Sequence, residues 1–343
     1  MFEGMLAAGV MSLSTRQPGV IVGPIASLLG IIYNAVFNVI YSIIQSNSLG
    51  IAIIVFTILV KSVLVPLVYK QQKATFEMQK LQPEMAKIRK KYASKKDPES
   101  QQKMALEMQK LQKDNNISMF GGCLPLLVQL PILYALFYIF QQAYLYIDVV
   151  GQNYDAITNV LMSMPTQLRL DLLTGAIMNH KMTVDVASSS DVLLLVNELT
   201  RTEWNTLVSA AGDFASQLTP LLEQKASIET FLGISLVNNP GLSFPGILVP
   251  ICAGLTTYLS TYILTRESAA QQSAAAGDED PTAAAMQSMK MMNYMMPVVM
   301  GVMCINMPGG LGIYWTISNL IQVVQTMVLH KHFKNRAERE AQQ

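Results

Sequence analysis

Charge is scarce in this chain. Asp, Glu, Lys and Arg together make up 14% of its 343 residues, against the ~25% usual in a soluble globular protein. Hydrophobic residues reach 51% and the mean hydropathy is +0.33, so the composition excludes an ordinary soluble domain. Cysteine is also rare. Cys123, Cys252 and Cys304 all fall in apolar stretches, and an odd number so placed argues against a disulfide framework and for buried free thiols. The only histidines are His180, His330 and His332; none falls in an apolar stretch, so neither a metal site nor a catalytic histidine is expected. The chain has no HExxH, GxSxG or Walker A pattern. No cofactor, no metal and no enzymatic activity are expected. Residues 1–21 lack a cationic start ahead of an apolar core and do not read as a signal peptide.

What the sequence has is long apolar runs. The most informative is GIAIIVFTILVKSVLVPLVY, residues 50–69, whose single charge is Lys61. Twenty helical residues at ~1.5 Å each cover the ~30 Å hydrocarbon core of a bilayer. Eight uncharged residues follow Lys61, and the next charge, Lys70, is nine residues on. That is roughly 13 Å of helix, beyond the reach of a lysine stem. A lysine at that depth costs about 2.5–3.5 kcal/mol on insertion scales. A hydrated cavity within the membrane would remove that cost. The alternative is a tilted helix that places Lys61 near an interface or against backbone carbonyls.

The remaining chain reads as an all-α integral membrane protein. Residues 1–49 form an N-terminal segment with an interfacial helix at 22–44, where Asn34, Asn38 and Ser42 make one polar stripe; a spanning placement is the alternative. Residues 50–69 are the first core span. Residues 70–116 carry twelve Lys/Arg against six acids and read as a helical hairpin outside the membrane, broken at SKKDP. Its Met78, Met85, Met104 and Met108 suit either an adaptable contact surface or a staple between its helices. A second span follows at 121–146. Residues 147–245 carry four Lys/Arg against ten acids and contain amphipathic helical stretches at 191–211 and 214–224. A third span (246–264), a low-complexity linker (265–290), a fourth span (291–306), a fifth (311–329) and a basic tail (330–343) complete the chain. The positive-inside rule puts the hairpin and the tail in the cytoplasm and the acidic 147–245 region outside.

No acidic residue lies in the five spans, which speaks against a proton-coupled carrier built on carboxylates. Uncharged polar residues do recur there. Thr57 and Lys61 share a face. Trp315, Asn319, Gln322 and Thr326 step by 4, 3 and 4 along one helical stripe, Gln129 sits in the second span, and Thr256, Thr257, Ser260 and Thr261 cluster in the third. Such stripes either join helices or line a cavity.

Four collinear blocks resemble the YidC family of membrane protein insertases, including its mitochondrial and chloroplast relatives. They are GIAIIVFTILVKSVLVPLVYKQQ with MQKLQPEMAKIRKKY, GGCLPLLVQLPILYALF, FLGISL with GILVPICAGLTTYLS, and MKMMNYMMPVVMG with MPGGLGIYWTISNLIQVVQ. The resemblance implies five transmembrane helices around a hydrophilic groove open to the cytoplasm and to lipid, with a mobile cytoplasmic hairpin. It implies a multi-pass protein of the cell membrane. Its partners would be nascent membrane proteins, the ribosome, the lipid bilayer and the Sec translocon. Family members place an arginine where this chain has Lys61, which keeps the charge and loses the five-donor fork. The groove residues expected here are Lys61, Thr57, Gln129, Trp315, Asn319 and Gln322. A small-solute transporter or channel using the same polar cavity is the alternative function.

Overall fold

The computed structural model describes residues 18–20, 22–92, 94, 97–115, 124–275 and 283–342, with side chains described except at 124–128, 265–275, 283–293 and 341. Cys123 and residues 276–282 of the expected linker lie outside the described residues. The described chain is all-α. Its only strand pairing is the two-residue ladder Thr230–Phe231 with Ile234–Ser235.

Val22–Ile43 is by itself long and apolar enough to cross a membrane, although its asparagine stripe favoured an interfacial position. The lysine-bearing run is not one straight helix. Ser48–Val63 and Val65–Lys80 pass the same test only together and are bent by 59°. The cause is Pro66, the second residue of Val65–Lys80. It has no N–H to continue the ladder, and its ring crowds the carbonyl one turn back, so the helix breaks at Leu64. The apolar stretches Gln129–Gln141, Leu248–Leu264 and Tyr294–Ile305 are shorter. Pro131 and Pro297 lie inside helices, a placement membrane helices tolerate when neighbours re-satisfy the backbone. Chemical boundaries and helix ends do not coincide. Val65–Lys80 runs through the boundary expected between span and hairpin at 69, Leu248–Ala275 continues past the end expected at 264, and Gly309–Ala341 runs through the boundary expected at 329. Lysine and arginine are good helix formers, so an apolar-to-basic change need not end a helix.

The chain divides into two compact units. One comprises residues 1–56, 131–250 and 303–314. Tyr33 is fully buried in it, edge-on to Phe56 (centroids 5.2 Å apart) and to Phe140 (5.6 Å). Close backbone approach requires glycine at 309, where an added Cβ would sit 2.3 Å from the Ser235 carbonyl oxygen. The acidic region of this unit is a bundle of five helices, Asp148–Ser163, Thr166–His180, Ser189–Glu198, Arg201–Ala210 and Ala215–Glu229. Asp148–Ser163 buries Val150, Tyr154, Ile157 and Leu161, the i, i+4, i+7 spacing of one helical face. The stretch expected as one helix at 191–211 is two, because Thr200 forms a capping box with Glu203 and starts a new helix. Within the bundle Lys225 and Glu229 form a buried ion pair. Tyr154 Oη donates to Glu229 (2.7 Å), and its ring lies under the Lys225 ammonium.

The second unit comprises residues 57–130, 251–302 and 315–343. Its hairpin pairs Val65–Lys80 and Gln82–Tyr92 with Pro98–Asp114. Asp97 caps the last helix by accepting from Ser100 N at 2.8 Å. Met85 is buried, Gln112 Nε2 donates to Met78 Sδ, and Lys91 bridges to Glu107 at 2.9 Å. These two methionines therefore serve as a staple within the hairpin.

The acidic bundle generates a pH prediction. Burial alone would raise the Glu203 carboxyl, but hydrogen bonds from His180, Thr200 and Asn179 override it and hold Glu203 at about 2, below its ordinary 4.5. A depressed carboxylate contributes stability that is present above the unfolded value and lost as pH falls through the folded one. The stability difference between the native chain and Glu203→Gln should hold above about pH 4.5 and shrink to nothing near pH 2. Denaturant unfolding followed at the buried Trp204 measures it; a difference independent of pH across that window contradicts it.

Candidate functional site

All six residues expected in a groove belong to the second unit. Lys61 lies in the last turn of Ser48–Val63, just before the bend. It is 8% exposed, and Thr57, one turn earlier, is fully buried. With Val60 they form the inward face of this helix. The outward face is apolar: Ile58 is 49% exposed, Leu59 38% and Val63 71%. A water-soluble helix has the reverse arrangement. Among the described residues, Lys61 has neither a hydrogen-bond acceptor nor a carboxylate partner. It is an inward, unneutralised cation on a helix that shows hydrocarbon to its surroundings.

The same inversion recurs on two more helices of this unit. On Leu248–Ala275, Thr257 and Ser260 are buried while Leu255, Tyr258, Leu259 and Tyr262 are exposed. On Gly309–Ala341, Ser318 and Thr326 are buried while Leu320, Val324 and Val328 are exposed. Exposed apolar faces of this extent mark contact with lipid or a partner. The inward polar groups bond to one another. Trp315 Nε1 donates to Thr257 Oγ1 at 3.0 Å, and the Asn319 amide lies 2.9 Å from the same oxygen. Thr257 Oγ1 in turn donates to the Ala253 carbonyl at 2.7 Å. The tryptophan–asparagine stripe thus meets the threonine cluster, as polar side chains do across membrane helices.

Trp315 and Asn319 are therefore brought together on Thr257. Gln322, one turn further on, is half-buried and bonds to no side chain among the described residues. Gln129 is half-buried on Leu124–Gln141. Sequence reasoning missed Gln72, which is buried and whose Nε2 donates to Thr326 Oγ1 at 3.1 Å. It also missed an aromatic cluster in which Phe333 packs on Tyr69 (5.1 Å) and Phe76 (5.7 Å). Tyr69, Gln72 and Phe76 step by 3 and 4 across the junction of the apolar run and the polar segment, and that helical spacing was the available signal.

Comparison with known proteins decides the family. Residues 39–337 match the family described as 60Kd inner membrane protein. This chain belongs to that family. The curated protein "Membrane protein insertase YidC" of Enterococcus faecalis is 30% identical over 294 residues, 86% of this chain and 71% of the relative. Its namesake from Clostridium perfringens is 30% identical over 309 residues, covering 89% and 90%. A shorter match to the Fusobacterium nucleatum protein of the same name is 47% identical over 91 residues, 26% of this chain and 42% of the relative.

The shared threonine gives a stability test. Thr257→Val keeps the shape and removes the oxygen that serves both Trp315 and Asn319. Interhelical hydrogen bonds in membranes contribute about 0.6 kcal/mol on average and up to about 1.7, so a loss of about 1 kcal/mol is expected. A red shift of Trp315 emission in detergent should accompany it, read in a Trp204→Phe background. Unchanged stability and emission would show that the cluster carries no joining energy.

Proposed function

We propose that this family member inserts membrane proteins through a hydrated intramembrane groove whose charge is Lys61. Membership of a family whose curated members are named membrane protein insertases gives the activity, insertion of membrane proteins, and the partners, nascent membrane proteins in the cell membrane. The groove is our reading of the polarity inversion. A cation with no partner among the described residues, facing inward on a helix that faces outward with Ile58, Leu59 and Val63, is tolerable in a bilayer only where water reaches it. Thr57, Gln129, Trp315, Asn319 and Gln322 extend the polar lining around five spans. The 70–116 hairpin and the tail face the cytoplasm, where their basic surfaces suit the ribosome; the protein acts alone or with the Sec translocon.

Insertion then proceeds without covalent chemistry. A short outer segment of the client enters the groove, and its acidic side chains meet the Lys61 ammonium in a medium of low effective dielectric, where the attraction exceeds its value in bulk water. The groove's water lowers the desolvation cost of the client's polar groups. The client's apolar segment leaves sideways into lipid, driven by burial of apolar surface at about 25 cal/mol per Å².

The observation that carries this reading is the inward Lys61, and the test uses two clients that differ only in acidic residues of the outer segment. Lys61→Arg should retain insertion of both, since arginine keeps the charge. Lys61→Ala should impair the acidic client several-fold and the neutral one little, with insertase abundance unchanged. Equal defects at normal abundance would remove charge attraction. Equal defects with lowered abundance would assign Lys61 to bracing the fold.

A further inference from the structure

A cavity lies within the same unit as the polar cluster at Thr257 and shares no residue with it. Its volume is about 270 Å³, and its walls come from Val65–Lys80, Leu248–Ala275 and Gly309–Ala341. The Gln72–Thr326 hydrogen bond is built into its wall, and Phe76 and Phe333 line it beside that pair. His330, Lys331 and Lys334 supply its basic residues, and Ile263, Leu264 and Met327 its apolar ones. Among the described residues, no aspartate or glutamate lines it. The nearby Glu77 is already engaged by Lys80 at 3.3 Å, while Lys331 and Lys334 are exposed and have no carboxylate partner among the described residues.

The cavity sits where three helices change from apolar to basic. Tyr69 is followed by Lys70 and Lys73, Val328 and Leu329 by His330 and Lys331, and Leu264 within two residues by Arg266. That change marks the headgroup level of a membrane. On the fifth-span helix, Met327 at the cavity wall and Val324 and Val328 beside it are exposed. A ligand placed there meets cations and hydrogen-bond donors at one end and bare hydrocarbon at the other. The volume falls below the ~300–1,000 Å³ of pockets that enclose a drug-sized molecule, so it holds a headgroup and leaves the chains outside.

We propose that this cavity binds the phosphate headgroup of an anionic phospholipid, with Lys331 and Lys334 on the phosphate and the acyl chains lying over Met327 and Val328. Charge complementarity selects an anion, and the adjoining apolar face selects one that carries chains. A lipid so placed joins the hairpin's root to the fifth span's exit. It would make the insertase sensitive to the anionic lipid content of its membrane.

Native mass spectrometry of the full chain, released from detergent after titration with phosphatidylglycerol or phosphatidylcholine, tests this. At about 1 kcal/mol per basic residue near a membrane surface, the native chain should hold phosphatidylglycerol at least tenfold tighter than phosphatidylcholine. Lys331→Gln with Lys334→Gln should lose about tenfold for phosphatidylglycerol and leave phosphatidylcholine unchanged. Both side chains are exposed, and an unchanged thermal midpoint will confirm that the variant is folded. Lys110→Gln with Lys113→Gln removes the same charge from the hairpin's last helix and should change neither. Unchanged phosphatidylglycerol binding in the first pair, or an equal loss in the second, overturns the site. Displacement of phosphatidylglycerol by tenfold inorganic phosphate overturns the lipid as its occupant.

Discussion

One charge, without a partner among the described residues, governs the rest of the structure. The Lys61 ammonium faces inward from a helix whose other side is hydrocarbon. In a soluble protein the two faces would be exchanged, and in an ordinary membrane helix the charge would be absent. An insertion cost of about 2.5–3.5 kcal/mol on the lenient scale is a large fraction of the margin by which proteins are stable. No carboxylate among the described residues neutralises it. Our proposal places water beside it, and water within the membrane is what the polar segments of a client need. One constraint connects the chain's polarity pattern with its activity.

The inward polar residues of the neighbouring helices fit the same constraint. Thr257 accepts from Trp315, touches Asn319 and donates to the Ala253 carbonyl, so that part of the polar surface is internally satisfied. Gln322 and Lys61 are not satisfied in this way. A fully bonded polar stripe joins helices; groups left over are those that water or a client can engage. The bend at Leu64 adds to this. Pro66 removes the N–H that would bond the Ser62 carbonyl, one residue beyond Lys61, which leaves backbone polarity beside the charge.

Much of this was legible in the sequence. Apolar runs, the basic hairpin, the isolated Lys61 and the spacing of Trp315, Asn319 and Gln322 are all periodicity or composition, and both survive without coordinates. Four features were less legible. Pro66 lay in plain view, yet the apolar run across it reads as one span, because hydropathy reports chemistry and not the hydrogen-bond ladder. The helix through Leu329 into Arg336 was split at the same chemical boundary, although lysine and arginine continue a helix readily. In the acidic region, ten carboxylates obscured the buried face of Val150, Tyr154, Ile157 and Leu161. Gln72 reads as one of many polar hairpin residues until Thr326, 254 positions away, is placed against it.

The most direct measurement of the central claim is water access at position 61. In a chain whose native cysteines are replaced, a single cysteine is placed either by Lys61→Cys or by Ile58→Cys, three residues earlier on the outward face. Both are exposed to a charged, membrane-impermeant thiol reagent in intact membranes. Such reagents react with the thiolate, which forms where water reaches the sulfur. The account predicts rapid labelling at 61 and little at 58. Labelling at 58 as fast as at 61, or none at either, would contradict a hydrated groove around Lys61.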